Sequence, residues 1–562
     1  MNRNLILLAA GLALPEALFA QKSGDQTKPN VIVILADDMG FSDIGCFGSE
    51  IPTPCLDSLA SKGLRLTQMY NSARSCPSRA SLMTGLYPHA SGLGQMTDRT
   101  TWTSAYSGFR SDHNVTLAEV MKSAGYFTAL AGKWHLGTLT DPIKRGFDEF
   151  FGLIPGYAPY YDASQYTRMP ADRPMHHYDN FYSTTAITDY AIDFTDEAKA
   201  KGQPFFMYLA YNAPHFPLQA PKELIDKYMP IYLQGWDKIR DERYKRVMQL
   251  GILPKGTPNT PRGMVPAGQV YTEPHDIPAW DSLPEDEKYD LARRMATYAA
   301  VIDLLDQNIH RLIDHLKSEG TLDNTFIIFM SDNGACAEWH EFGFDGKSGK
   351  KFILHKGADL DKIGTAESFV EYGTGWANAC DTPLWSYKHY THEGGISTPC
   401  VVFYGDNIKK KGEINATPVH ITDVMATCVA LSGATYPSEY QGRTIYPMEG
   451  KSLLPLLSNH RMGKRVIFAE HEGNRLVRQG DWKICASLYN DQPWELYNVK
   501  KDRTERHNLA SKYPNKVKRM AKLYDAWADK WEILPYTPNV EKIASERLKD
   551  EMKVKLETIN KK

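Results

Sequence analysis

The sequence predicts an α/β fold, a parallel sheet covered by helices on both faces, with a small C-terminal α+β subdomain packed against it. Three observations carry that reading. Short β-rich apolar runs alternate with segments of helical period. One long segment keeps a single apolar face at helical spacing. After about Val466 the pattern changes to closely spaced strands and one charged helix.

In chain order, Val31–Leu35 reads as a fully buried strand, and Tyr126–Ala131, Phe205–Tyr211 and Phe326–Met330 read the same way. Thr116–Ala124 is predicted helical, with Asn114 as its cap and Gly125 as its stop. Leu291–Glu319 is the clearest helix: Tyr298, Ile302, Leu305, Ile309, Leu312 and Leu316 line one face, and Gly320 ends it. The stretch from Pro221 to Lys288 is rich in Pro, Tyr and charge and has no clean strand, so it is expected as an insertion lying over the domain. Val477–Ser487 and Trp494–Val499 are two antiparallel-looking strands, and Pro514–Trp531 is a charged helix. The expected organisation is therefore a main domain over 28–465 with the 221–288 insertion, a subdomain over 466–535 and a charged tail over 536–562.

Composition narrows the function. The 562 residues (63.4 kDa) are 42% apolar and 23% charged, enough to bury a core. Lys plus Arg (65) nearly balance Asp plus Glu (67), so no global basic field exists to attract nucleic acid or anionic lipid. An anionic substrate must then be met by a local cluster of cations. Residues 1–20 carry Arg3, an apolar run from Leu5 to Leu14, then Ala17, Phe19 and Ala20 ahead of Gln21, the layout of a secretory signal peptide. No later stretch approaches the ~20 apolar residues of a membrane span. The expectation is an exported protein, periplasmic or secreted. The eight cysteines show no C-x-x-C spacing, and most are expected as small buried hydrophobes.

Asp37 and Asp38 directly follow the first buried strand, where like charges repel and burial penalises both. A divalent cation removes that conflict, and hard oxygen ligands suit Ca²⁺ or Mg²⁺. Asp332 and Asn333 follow another buried strand and offer a second carboxylate with an amide oxygen. Ligands of open α/β sheets collect at the carboxyl ends of strands. Lys133 and His135 follow a third strand and His215 a fourth, while Lys388 lies in a loop before Glu393-Gly394-Gly395. Together these four describe an anion pocket with a proton donor. Ser75 precedes Pro77 at a predicted helix start, where backbone N–H groups favour anions, and Arg79 stands one turn on.

The segment Ser75-Cys76-Pro77-Ser78-Arg79-Ala80-Ser81-Leu82-Met83-Thr84-Gly85 resembles the signature of the type I sulfatases, members of the alkaline phosphatase-like superfamily. That signature begins with Cys or Ser, has Pro at +2 and Arg at +4, and ends Leu-x-Thr-Gly. Only Ser75 supplies both spacings. From Cys76 the Pro and Arg fall one position short. The resemblance implies a large mixed sheet sandwiched by helices and conversion of Ser75 to formylglycine (3-oxoalanine). It implies Asp37, Asp38, Asp332, Asn333 and the modified Ser75 as ligands of Ca²⁺, with Mg²⁺ as an alternative. Arg79, Lys133, His135, His215 and Lys388 match its sulfate-binding and proton-transfer positions. Gly235–Arg240, Leu250–Pro254 and His392–Pro399 look like segments of the arylsulfatase branch, while Arg478–Lys483 and Trp494–Tyr497 resemble the family's C-terminal sheet.

By that resemblance the protein hydrolyses sulfate esters. Asp332 takes the nucleophile's proton, His215 protonates the leaving oxygen with Lys388 as its close competitor, and His135 accepts the proton whose loss expels sulfate. Serine where most members have cysteine implies an anaerobic-type sulfatase-maturating enzyme as a transient partner. The 31 tyrosines and 11 tryptophans suit stacking on sugar rings, so the expected substrate is a sulfated carbohydrate. Its candidate contacts are the pair His176 and His177 and the loop Glu338-Trp339-His340. Two rival readings are a phosphodiesterase or phosphonate hydrolase of the same superfamily, and an inactive exported glycan-binding homologue.

Overall fold

The computed structural model describes residues 28–97, 103–109, 112–137, 141–266, 274–338, 340–346, 351–487 and 493–534. The predicted signal peptide, the charged tail and Trp339 lie outside the described residues.

The described residues build eighteen strands: β1 (Asn30–Ala36), β2 (Leu64–Tyr70), β3 (Phe127–Lys133), β4 (Glu149–Leu153), β5 (Thr167–Met169), β6 (Phe205–Ala210), β7 (Met264–Val265), β8 (His275–Asp276), β9 (Thr325–Ser331), β10 (Ser397–Phe403), β11 (Glu413–Asn415), β12 (Val419–His420), β13 (Glu439–Tyr440), β14 (Arg443–Thr444), β15 (Val466–His471), β16 (Asn474–Gln479), β17 (Trp482–Ala486) and β18 (Glu495–Asn498). Ten of them form one sheet in the order β11-β2-β10-β9-β1-β6-β3-β4-β5, with β12 also paired to β2. The central block β9-β1-β6-β3-β4 is parallel, whereas β10 is antiparallel to both β9 and β2, so the sheet is mixed.

Side-chain alternation explains why the central strands read as unbroken apolar runs. Ile32, Ile34, Met207, Leu209, Ile327 and Phe329 face one core layer, while Val31, Val33, Phe206, Tyr208, Phe326 and Ile328 face the other. Helices cover both faces, as burial of a parallel sheet requires. Ser183–Ala200 and Glu285–Ser318 pack on the first, Ser75–Thr84, Leu117–Ser123 and Asp423–Ser432 on the second.

The helix expected from Leu291 begins earlier, at Glu285, after Pro284. Asn114 is not a cap: Leu117–Ser123 is capped by Thr116, whose hydroxyl and the Glu119 carboxylate each accept the other's backbone N–H. Asn114 instead accepts from Arg145 at 2.9 Å. The 221–288 stretch differs from a covering insertion. It holds helices Lys222–Tyr232 and Trp236–Gln249 and buries Tyr228, Tyr232, Trp236, Ile239 and Val247 in the sheet's own core. Charged residues on the outward turns mask that apolar face in the sequence.

The C-terminal sheet has four antiparallel strands, β15-β16-β17-β18, where two were expected. Gly480, at φ +62°, turns the chain between Gln479 and Trp482 and splits the run read as one strand. Val477, Ile484 and Leu496 pack beneath helix Pro514–Lys530, while Ile467, Leu476, Cys485 and Tyr497 pack on Tyr70 and Ile396 of the main domain. All eight cysteines are buried and none is in a disulfide.

Candidate active site

Four neighbouring parallel strands end at one place. β1 leads to Asp37 and Asp38, β9 to Asp332 and Asn333, β3 ends on Lys133 with His135 next, and β6 leads to His215. Helix Ser75–Thr84 points its first residue into the same space. The backbone is held tightly there, with Asp38 at φ +66° and His135 at φ +51°, conformations a non-glycine residue adopts only under constraint.

Ser75 is the hub. Its Oγ lies 2.6 Å from Asp332 Oδ2 and 3.5 Å from Asp37 Oδ1, receives Arg79 Nε at 3.0 Å and has His135 Nδ1 at 3.4 Å. Arg79 also donates Nη2 to Asp332 at 2.8 Å and stands 3.4 Å from Asp37. Lys133 Nζ reaches Asp37 Oδ2 at 2.6 Å. Lys388 Nζ donates to Asp38 Oδ2 and to Glu338 Oε1, both at 2.8 Å, and His215 Nε2 lies 3.4 Å from the same Asp38 oxygen. Every predicted catalytic and metal residue is therefore in one buried cluster. Cys76 instead packs away from it, its thiol near Met96.

Charge is the dominant feature of the pocket. Burial, with repulsion from Asp332 and Asp38, pushes the Asp37 carboxyl up to about 7 despite Lys133 and Arg79. Burial opposes ionisation of Asp38 too, but Lys388 and His215 outweigh it and hold that carboxyl well below its usual range. Burial likewise lowers Lys133, His135 and His215, the last to about 3.

The donors fit a hard divalent cation. Three carboxylates converge, and the Oδ1 of Asn333 is buried without a hydrogen-bond partner while its Nδ2 donates to Asp38 Oδ1 at 2.7 Å. Amide N and O exchange by a half-turn of the side chain. An orphaned amide oxygen beside Asp37, Asp38 and Asp332 is the all-oxygen donor set of Ca²⁺ or Mg²⁺.

The predicted substrate contacts divide. Glu338 is part of the cluster through Lys388. His340 is buried, stacks on Phe352 and accepts from Phe342 N. The side chain of His177 is 91% exposed and pairs with Asp179, and His176 stacks on Tyr190. These contacts leave the histidine pair on the surface. Sequence reasoning missed Arg74, whose guanidinium lies 3.6 Å from Glu338, and Tyr157, 38% exposed and stacked on the His215 ring. Arg74 directly precedes Ser75 and Tyr157 lies outside every motif, and neither carries a spacing of its own.

The chain matches known proteins along most of its length. The pattern described as Sulfatase covers residues 29–434, and that described as N-sulphoglucosamine sulphohydrolase, C-terminal, covers 384–530. An arylsulfatase of Klebsiella aerogenes is 36% identical over 81% of this chain and 96% of its own. An N-acetylglucosamine-6-O-sulfatase of Bacteroides thetaiotaomicron is 27% identical over 93% of this chain and 90% of its own. The crystal structure of Ps i-CgsB in complex with k-i-k-neocarrahexaose superposes with a TM-score of 0.63 at 26% identity, covering 91% of this chain and 94% of that one. Motif, converging strand ends and whole-length similarity agree: the chain belongs to the sulfatase family and is an enzyme that hydrolyses sulfate esters.

Proposed function

We propose that the protein is an exported sulfatase that removes sulfate from a carbohydrate sulfate ester, using a formylglycine made from Ser75 and a bound Ca²⁺-like ion. The observation that carries the reading is the hub geometry of Ser75, within hydrogen-bond reach of a carboxylate, a guanidinium and an imidazole. The hydrate of an aldehyde at this position supplies two hydroxyls, one to take sulfate from the ester and one to release it, whereas plain serine would keep the sulfate as a stable ester. Asp332 Oδ2, at 2.6 Å, is placed to receive the proton of the attacking hydroxyl. Arg79, Lys133 and Lys388 offset the charge that spreads over the sulfuryl oxygens. His135 Nδ1 is placed to accept the second hydroxyl proton. Asp37, Asp38, Asp332 and Asn333 would hold the cation, which would supply further positive charge to the pocket. The N-acetylglucosamine sulfatase relative and the oligosaccharide-bound structural neighbour support a sugar as the leaving group. Maturation from serine calls for an anaerobic-type maturating enzyme as transient partner.

The test is peptide mass spectrometry on protein made with such a maturating enzyme, beside assays of paired sulfate and phosphate esters on sugars. The expected result is a residue 75 lighter than serine by two hydrogens, a higher kcat/KM for the sulfate ester, an inactive Ser75→Ala and an active Cys76→Ala. An aldehyde at position 76, full activity in Ser75→Ala, or preference for the phosphate ester would overturn it.

A further inference from the structure

Beside the pocket, where the C-terminal sheet meets the main domain, His389, His471 and Glu472 bring one ligand atom each within 4.8 Å of one another. His389 follows Lys388 in the active-site loop, and its backbone N–H is tied to Ala73 O. His471 ends β15, and Glu472 opens the two-residue turn to β16. Such a turn needs positive φ at both central positions and takes Asn or Gly there by preference. Here it carries glutamate at φ +49° before Gly473 at +79°. His389 holds φ +82°. The turn accepts a poorly suited residue whose carboxylate points inward: Glu472 Oε2 lies 3.0 Å from His389 Nδ1 and 3.9 Å from His471 Nε2.

The state of His471 is the informative part. The residue is 0% exposed, and its Nδ1 faces the Gly94 carbonyl at 3.4 Å. A carbonyl only accepts, so that nitrogen carries the proton and Nε2 presents a lone pair. Nε2 is buried with no hydrogen-bond partner and faces the Glu472 carboxylate, another acceptor. A protonated ring nitrogen on a backbone carbonyl, with the other nitrogen bare, is how proteins orient a metal-bound histidine. Two imidazoles and one carboxylate are a borderline donor set that takes Zn²⁺ at ~2.0–2.2 Å per bond. It contrasts with the all-oxygen set of the catalytic pocket.

We infer that His389, His471 and Glu472 form a second metal site, for Zn²⁺ or a similar divalent transition metal, which fastens the C-terminal sheet to the loop carrying Lys388.

The full-length protein would be dialysed against Zn²⁺ in the presence of excess Ca²⁺, and its metal content measured. One equivalent of zinc is expected in the wild type, and none in His471→Ala or Glu472→Gln of unchanged circular dichroism. Zinc absent from the wild type, or retained equally by both variants, would overturn the inference. Because either variant could misfold, Cu²⁺-loaded wild type gives a second reading. Nitrogen superhyperfine splitting from two imidazoles in its EPR spectrum is expected, and a spectrum showing oxygen ligands alone would refute the site.

Discussion

His215 and Lys388 sit side by side on the same Asp38 oxygen, so geometry must separate their roles. The Nδ1 of His215 lies 2.6 Å from the Phe216 carbonyl, which fixes its proton there and leaves Nε2, the nitrogen facing the pocket, bare in the neutral ring. Lys388 keeps three N–H donors, and although burial opposes its charge, Asp38, Cys336 and Glu338 hold its ammonium above the usual lysine range. The sequence favours His215 as the acid for the leaving oxygen, whereas these contacts favour Lys388. If Lys388 is that acid, Lys388→Ala should lose about 10²–10⁴ in kcat on an alkyl or sugar sulfate. On a nitrophenyl sulfate, whose leaving group needs no proton, it should lose much less. His215→Ala should lose similar factors on both. The reverse pattern in the two kinetic series would return the role to His215. The pocket residues were legible because each follows a buried strand or sits in a spaced motif, and both signals survive in a bare sequence. Arg74, Tyr157 and the His389–His471–Glu472 cluster were not. Their meaning comes from chain segments brought together across the fold, and nothing local marks them.

At the level of elements, strands were read well where both faces are buried, since β1, β6 and β9 then show continuous apolar runs. β1 and β9 extend one residue beyond the apolar run at both ends, because Asn30, Ala36, Thr325 and Ser331 look like turn residues but still pair in the ladder, whereas β6 stops at Ala210, one residue before the run ends at Tyr211. The 221–288 helices were hidden by Pro230 within one of them and by charge density in the other. The capping box at Leu117–Ser123 was available as Thr116 followed three residues later by Glu119, a stronger start signal than Asn114. Its worth can be measured. Thr116→Ala removes the acceptor for Glu119 N at 3.1 Å and a buried donor to Arg145 O at 2.6 Å. A cap loss costs roughly 0.5–2 kcal/mol, so thermal unfolding should shift down by a few degrees, and Thr116→Ser should restore most of it. Asn114→Ala leaves the cap intact. A Tm loss in Asn114→Ala equal to that in Thr116→Ala would mean that the cap is not what holds this helix start.

Across the whole molecule, the C-terminal sheet is joined to the main domain by more than apolar contact. Lys483 on β17 lies between Glu393 at 2.9 Å and Glu505 at 2.6 Å, and all three side chains are fully buried. Glu393 also pairs with Arg503 and accepts from Tyr70 OH at 2.8 Å, while its backbone N–H donates to Glu505 at 2.7 Å. Glu393 belongs to the His392–Pro399 segment of the main domain, and Tyr70 ends β2, so one ionic network crosses the boundary that the sequence places at about residue 466. Such a network need not stabilise relative to an apolar contact of the same shape, because desolvation offsets the attraction. Breaking it from one side is another matter. Lys483→Met would leave two buried carboxylates facing each other, a change of about 3–5 kcal/mol. The expected outcome is a large fall in Tm and faster proteolysis at the junction. Glu505→Gln added to Lys483→Met should recover part of the loss, since it removes one unpaired charge. The four proteins of that double-mutant cycle measure the coupling directly. Additive losses would show that Lys483 and Glu505 act independently, and an unchanged Tm in Lys483→Met would show that the two units are held by their apolar faces alone.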